Sequence, residues 1–178
     1  MLTEPDDLDD LTPAAALDAV IADIDAHPVQ PGPGSTALFT ATRHIDLLSQ
    51  LARRLAGDAY YYAEQAEQRP ADSQRMAGVL ATACRPVTQA LHHYVQALAP
   101  LGDLRTPPDE ADTAAVRKAE GLRRTVHSHL RQARTALDLT GEVLTGPDEA
   151  AKAARPHPGP APGSAHTPPG SKPTRRAR

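Results

Sequence analysis

Large aromatic rings are nearly missing from this chain of 178 residues. It has no tryptophan, four tyrosines and a single phenylalanine, Phe39. A core without big rings has to be filled by Leu, Val, Ile and Ala. Sheet-rich folds favour branched and aromatic residues, so that scarcity argues against them. Cys84 is the only cysteine, which excludes an intrachain disulfide. Its place on an apolar helical face points to a buried, inert thiol rather than a nucleophile. No stretch approaches the roughly 20 apolar residues of a membrane-spanning helix. The opening MLTEPDDLDD has neither a basic region nor an apolar run, so it does not read as a secretory signal. These absences lead to the expectation of a cytoplasmic protein without a membrane partner.

The formal net charge of -3 is too small to suggest a nucleic-acid binder by itself. It conceals an uneven distribution. The first 25 residues carry Glu4, Asp6, Asp7, Asp9, Asp10, Asp18, Asp23 and Asp25 and no Lys or Arg. Between 117 and 134 the balance reverses: Arg117, Lys118, Arg123, Arg124, Arg131 and Arg134 face only Glu120. The end of the chain is basic again, through Lys172, Arg175, Arg176 and Arg178.

What the chain does have is apolar spacing of three and four. Leu38, Ala41, Ile45, Leu48, Ala52, Leu55, Ala59, Tyr62 and Ala66 repeat without a slip, and only a helix puts such residues on one side. A helix that long cannot bury its own stripe and needs partners. A second stripe runs through Leu80, Cys84, Val87, Leu91, Tyr94, Leu98 and Leu101, with Pro86 expected to kink it. A third runs through Ala119, Leu122, Val126, Leu130, Ala133, Leu137 and Leu144. Ahead of them, Leu17, Val20, Ile21 and Ile24 form one face of a short helix, with Thr12 as N-cap and Pro13 as first helical residue; Asp18, Asp23 and Asp25 fall mostly off that face.

Breaks fall where Pro and Gly collect. PVQPGPGS separates the first two helices, Pro70 the second and third, and Pro107-Pro108 the third and fourth; Gly146-Pro147 stops the last. Ser35, Asp72 or Ser73, and Asp109 are the expected caps. The spacing therefore predicts helices at about 12–27, 35–69, 72–101 and 109–145. A continuous second and third helix bent at Pro70 is the alternative to a hairpin; the hairpin lets the two stripes close on each other. The predicted fold class is all-α: an up-down-up bundle of three long helices with coiled-coil-like crossing and a short N-terminal amphipathic helix packed on it. Residues 1–11 read as an acidic flexible N-terminus, 12–145 as the bundle domain, and 146–178 as a Pro/Gly-rich basic tail that cannot bury enough surface to fold.

Few residues nominate chemistry. No serine sits in a strand-turn-helix elbow, and PGPGS lacks the lysine and preceding strand of a phosphate-binding loop. His44 comes near His92 and His93 in the hairpin, but adjacent histidines point apart and no Glu-x-x-His pattern is present. Partly exposed helix histidines are the preferred reading, with His127 and His129 at another level and no metal site. No cofactor is expected, and no catalytic set is found.

Two surfaces stand out. Tyr60, Tyr61 and Tyr62 are successive, about 100° apart around a helix. Tyr62 is in the stripe. Tyr60 and Tyr61 either pack, with Tyr61 over Gly78, or form an interaction surface. Arg117, Arg124 and Arg131 are one heptad apart on the outer side of the last helix, widened by Arg123 and Arg134, with Arg175 and Arg176 in the tail. Because only Glu120 is near, the patch is little neutralised by its own helix. The resulting expectation is a non-enzymatic helical-bundle protein acting through a protein partner or self-association, its first helix a possible detachable flap on a Pro/Gly linker. The alternative is an accessory protein that binds nucleic acid non-specifically through the basic helix and tail.

Overall fold

A computed structural model describes residues 8, 10–66 and 70–153, and among them there are four helices and no strand. They are α1 (Pro13–Ala26), α2 (Thr36–Gln65), α3 (Pro70–Leu104) and α4 (Thr113–Ala153). The all-α bundle read from the spacing is the fold. Residues 1–7 and 9, and the tail beyond 153 with Arg175 and Arg176, lie outside the described residues.

The helix starts are set locally. Thr12 caps α1, its hydroxyl accepting the N–H of Ala15 at 3.2 Å, with proline at the first helical position. Ser35 makes no side-chain cap on α2. At α4 the cap is Asp112 rather than Asp109: Asp112 accepts the N–H of Ala114 at 2.8 Å. Asp109 instead turns on itself, accepting from Ala111 at 3.0 Å. An Asp just after two prolines forms a local turn more readily than it starts a helix. α3 begins at Pro70, ahead of the expected caps Asp72 and Ser73, and stays helical across Pro86 and Pro100. Each of these prolines lacks an N–H, so the carbonyls of Thr82 and Gln96 lose their helical donors without the helix ending. In α4 the helical backbone breaks at Gly146, with φ 58° and ψ 162°, a region open essentially to glycine alone.

α3 is the central rod. It packs along both α2 and α4, while α1 touches α2 and α4. Asp23 meets Arg43, and the Leu11 carbonyl accepts from Arg54, so α1 runs antiparallel to α2. Asp25 meets Arg134, and Leu17 lies 3.8 Å from the position a side-chain carbon would take on Gly141, so it also runs antiparallel to α4.

The buried lines differ by one residue from two of the sequence stripes. On α2 the buried set is Ala37, Ala41, His44, Leu48, Leu51 and Leu55, with Leu38, Ile45 and Ala52 half-buried beside it. On α3 it is Leu80, Ala83, Val87, Ala90, Tyr94, Ala97, Leu101 and Leu104, with Cys84, Leu91 and Leu98 at its edge. A helix held between two neighbours needs a broad apolar face. Alanines alternate with larger residues along that line, which suits close helix packing, while Cys84, Leu91 and Leu98, one heptad apart, cover one edge of it. Burial raises the pKa of the half-buried Cys84 thiol, as suits an inert one. α4 follows its predicted stripe: Ala119, Val126, Ala133 and Leu137 are buried, and Leu122, Leu130 and Leu144 pack against the core.

α1 is part of this core rather than a loose flap. Ala16, Leu17 and Val20 are fully buried, and Leu8 ahead of the helix is buried as well. Its linker is tied down too. Val29 is buried, and the N–H of Gly34 donates to the Arg105 carbonyl at 2.9 Å, with Gly34 at φ 95°. The Pro/Gly content that suggested flexibility is what this tight, positive-φ crossing needs.

Candidate functional site

The basic face survives as a surface, with one exception. Arg117, Arg124 and Arg131 are exposed and Arg123 is half-buried, and no guanidinium of the four makes a hydrogen bond or ion pair among the described residues. Arg134 does. It donates to Asp25 of α1 and, at 3.0 Å, to Asp138 one turn along its own helix. The expectation of a poorly neutralised patch is therefore corrected at this position: folding brings an α1 carboxylate to α4, and Asp138 lies just past the stretch in which charges were balanced. Among the described residues the acidic N-terminal part of the chain meets the basic helix at one point, through Asp25.

Tyr60 and Tyr61 are 66% and 56% exposed. Gly78 has open space around it, so Tyr61 does not pack there. The Tyr60 hydroxyl donates to Glu64 one turn on, which raises its pKa, and Tyr61 stands edge-on to the half-buried Tyr62 with ring centroids 5.7 Å apart. The packing reading of this pair is overturned: only Tyr62 reaches the core, because successive residues on a helix diverge. Phe39 is even more exposed, at 71%. It sits three heptads before Tyr60 in the same outward column, with Asp46 and Arg53 between them, so the two rings do not form one apolar patch.

The histidines are arranged otherwise than the hairpin suggested. His44 is fully buried, in the α2 seam, edge-on to Tyr94 of α3 with centroids 5.3 Å apart. Both its ring nitrogens lack a hydrogen-bond partner. Burial drives its pKa down to about 4, against the opposing pull of Asp23; Arg43 and His27 lower it further. The nearby Asp23 is itself buried. One of its oxygens accepts from Arg43 at 2.5 Å and the other has no partner. His93 lies against His129 of α4, centroids 5.8 Å apart, with the Nδ1 of each buried and unpartnered. Burial first, and then the charges of His129 and His92, lower the pKa of His93. Among the described residues no three metal-ligating side chains converge.

The sequence also gave no sign of an open cavity of about 280 Å³ where the end of α1, its linker, α3 and α4 meet. Asp25, Tyr94, Arg131 and Arg134 line it, and Val29, Leu130 and Leu137 supply apolar wall. Tyr94 is buried, and burial, with Asp25 nearby, raises its pKa to about 12, so it is a neutral donor at any ordinary pH. Comparison of the chain with models of protein families, with characterised proteins and with solved structures finds no match. Within the described residues no helix is long and apolar enough to cross a membrane.

Proposed function

We propose that this chain is a cytoplasmic, non-enzymatic bundle protein that works by associating with another protein or with a second copy of itself. The exposure of Tyr60 and Tyr61 carries the reading. Two adjacent rings that contribute little to the core are large, stiff contact groups, and exposed tyrosine is favoured at protein interfaces. The test is sedimentation velocity over a concentration series, for the wild type and for Tyr60→Ser/Tyr61→Ser, with a thermal melt of each. A mass that rises with concentration in the wild type and not in the variant, at equal melting temperature, supports self-association. A wild type that stays monomeric removes it and leaves only a different protein as partner. A melt lowered by several degrees in the variant counts against the reading, because the rings then serve the fold.

The second reading is non-specific binding to nucleic acid, favoured by Arg117, Arg124 and Arg131 standing exposed and unpaired in one outward row. Such contacts release counterions, so affinity falls steeply with salt. Changing the three arginines to glutamate and titrating a DNA duplex at several salt concentrations tests it. Absence of binding by the wild type at low salt ends it.

A further inference from the structure

The cavity at the end of α1 is a mixed site. Its wall is apolar where Val29, Leu130 and Leu137 face it, and its polar groups are unequal in what they can still bind. Asp25 and Arg134 are committed to each other, and Arg134 also to Asp138. Arg131 has no partner among the described residues, and neither does the hydroxyl of the otherwise buried Tyr94. Both are donors. Two arginines against one carboxylate, Asp25, give the lining a formal charge of +1, and the pairing of Asp25 with Arg134 leaves Arg131 as the uncompensated group, so an anion is favoured over a cation. A purely apolar ligand would cover two donors and satisfy neither, which costs the desolvation of each. A volume near 280 Å³ lies at the small end of ligand sites, too little for a dinucleotide.

We propose that this cavity binds a small amphipathic anion, a monocarboxylate with a short apolar body, its head held by Arg131 and the Tyr94 hydroxyl and its body against Val29, Leu130 and Leu137. The carboxylate accepts a charge-assisted hydrogen bond from the guanidinium and a second from the phenol. Burial of the chain against the linker and α4 supplies the rest of the affinity. This site is independent of the tyrosine surface on α2, and its failure would leave that reading untouched.

Titration of the full, isotope-labelled chain with octanoate, kept below its micelle concentration and followed by amide chemical shifts, tests the assignment. Saturable shifts are expected at Val29, Leu130 and their neighbours. Octanol, which has the body without the charge, and acetate, which has the charge without the body, should each bind at least tenfold more weakly. Arg131→Gln should weaken octanoate about tenfold, the loss of one charge-assisted contact. Arg131 is exposed and unpaired, so that variant keeps the fold. Tyr94→Phe should weaken binding a few-fold, with its melt recorded alongside. Arg117→Gln, an exposed arginine away from the cavity, should change nothing. The proposal is overturned if octanoate gives no saturable shift at the cavity, if octanol binds as well as octanoate, or if Arg117→Gln costs as much as Arg131→Gln.

Discussion

Replacing His44 with leucine should make the protein more resistant to acid. His44 is wholly buried, and neither ring nitrogen has a partner. Burial holds its folded-state pKa at about 4, against an ordinary 6.5 in the unfolded chain. A base whose pKa is depressed by folding binds its proton more readily when unfolded. Its neutral form is tolerated above pH 6.5, and stability falls as the pH drops from there toward 4. A gap of about 2.5 pK units, at about 1.4 kcal/mol each, amounts to about 3 kcal/mol once the pH is below both values. By pH 4.5 about 2.5 kcal/mol of it should already be lost. The groups facing His44 are Tyr94 from α3, Asp23 from α1 and His27 just after it, and Arg43 from its own helix. Only Asp23 favours the protonated ring, and it is largely taken up by Arg43. Urea unfolding followed by circular dichroism at pH 7.5, 6.5, 5.5 and 4.5, for the wild type and His44→Leu, isolates the contribution, since other titrating groups are common to both. At pH 7.5 the variant should equal or exceed the wild type, because leucine fits the seam and removes two unpaired buried nitrogens. Toward pH 4.5 it should pull ahead by about a further 2.5 kcal/mol. Parallel pH profiles for the wild type and His44→Leu would refute the reasoning, as would a leucine variant several kcal/mol less stable at pH 7.5.

Other outcomes follow from the same packing. Arg43→Ala strands the buried Asp23 carboxylate without its cation and should cost about 3 kcal/mol. Asp23→Ala should cost clearly less, because Arg43 is about half exposed and rehydrates; denaturant unfolding of both variants compares them. Ala90→Leu adds bulk on the centre line of α3, where the side chain is fully buried, and should destabilise by about 1–3 kcal/mol, read as a lower urea midpoint.

The helical class and the order of the elements were legible because a stripe spaced by three and four has one geometric meaning. What the stripe could not show was which line of it faces the centre. Reading by hydrophobicity ranks Cys84, Leu91 and Leu98 above Ala83, Ala90 and Ala97. The fold reverses that order: α3 packs along both α2 and α4, the three alanines are fully enclosed, and the larger three sit at the edge of the buried face. His44 and Asp23 escaped for a related reason. A polar residue at a seam spacing looks like an interruption until the tertiary fold shows it enclosed. The linker misled in the opposite sense, because a glycine needed for positive φ at Gly34 resembles one that loosens a chain. Arg134 was read from its nearer neighbours, while its partner Asp25 lies more than a hundred residues away in sequence. Tyr60 and Tyr61 were legible as a feature, yet their exposure depended on where α3 passes. The cavity beside Tyr94 is made by four separate segments and has no local signature at all.

The central claim is that burial of one line of each helix holds the bundle together. Val87 and Val95 of α3 test it directly. They are the same residue in the same helix, one fully buried and the other 46% exposed. Thermal unfolding followed by the helical circular-dichroism signal should show Val95→Asp within about 0.5 kcal/mol of the wild type. Val87→Asp, which forces a carboxyl into the fully buried face of α3, should lose several kcal/mol or the cooperative transition itself. Equal effects at the two positions, or a wild type without a helical spectrum and a cooperative melt, would contradict the account.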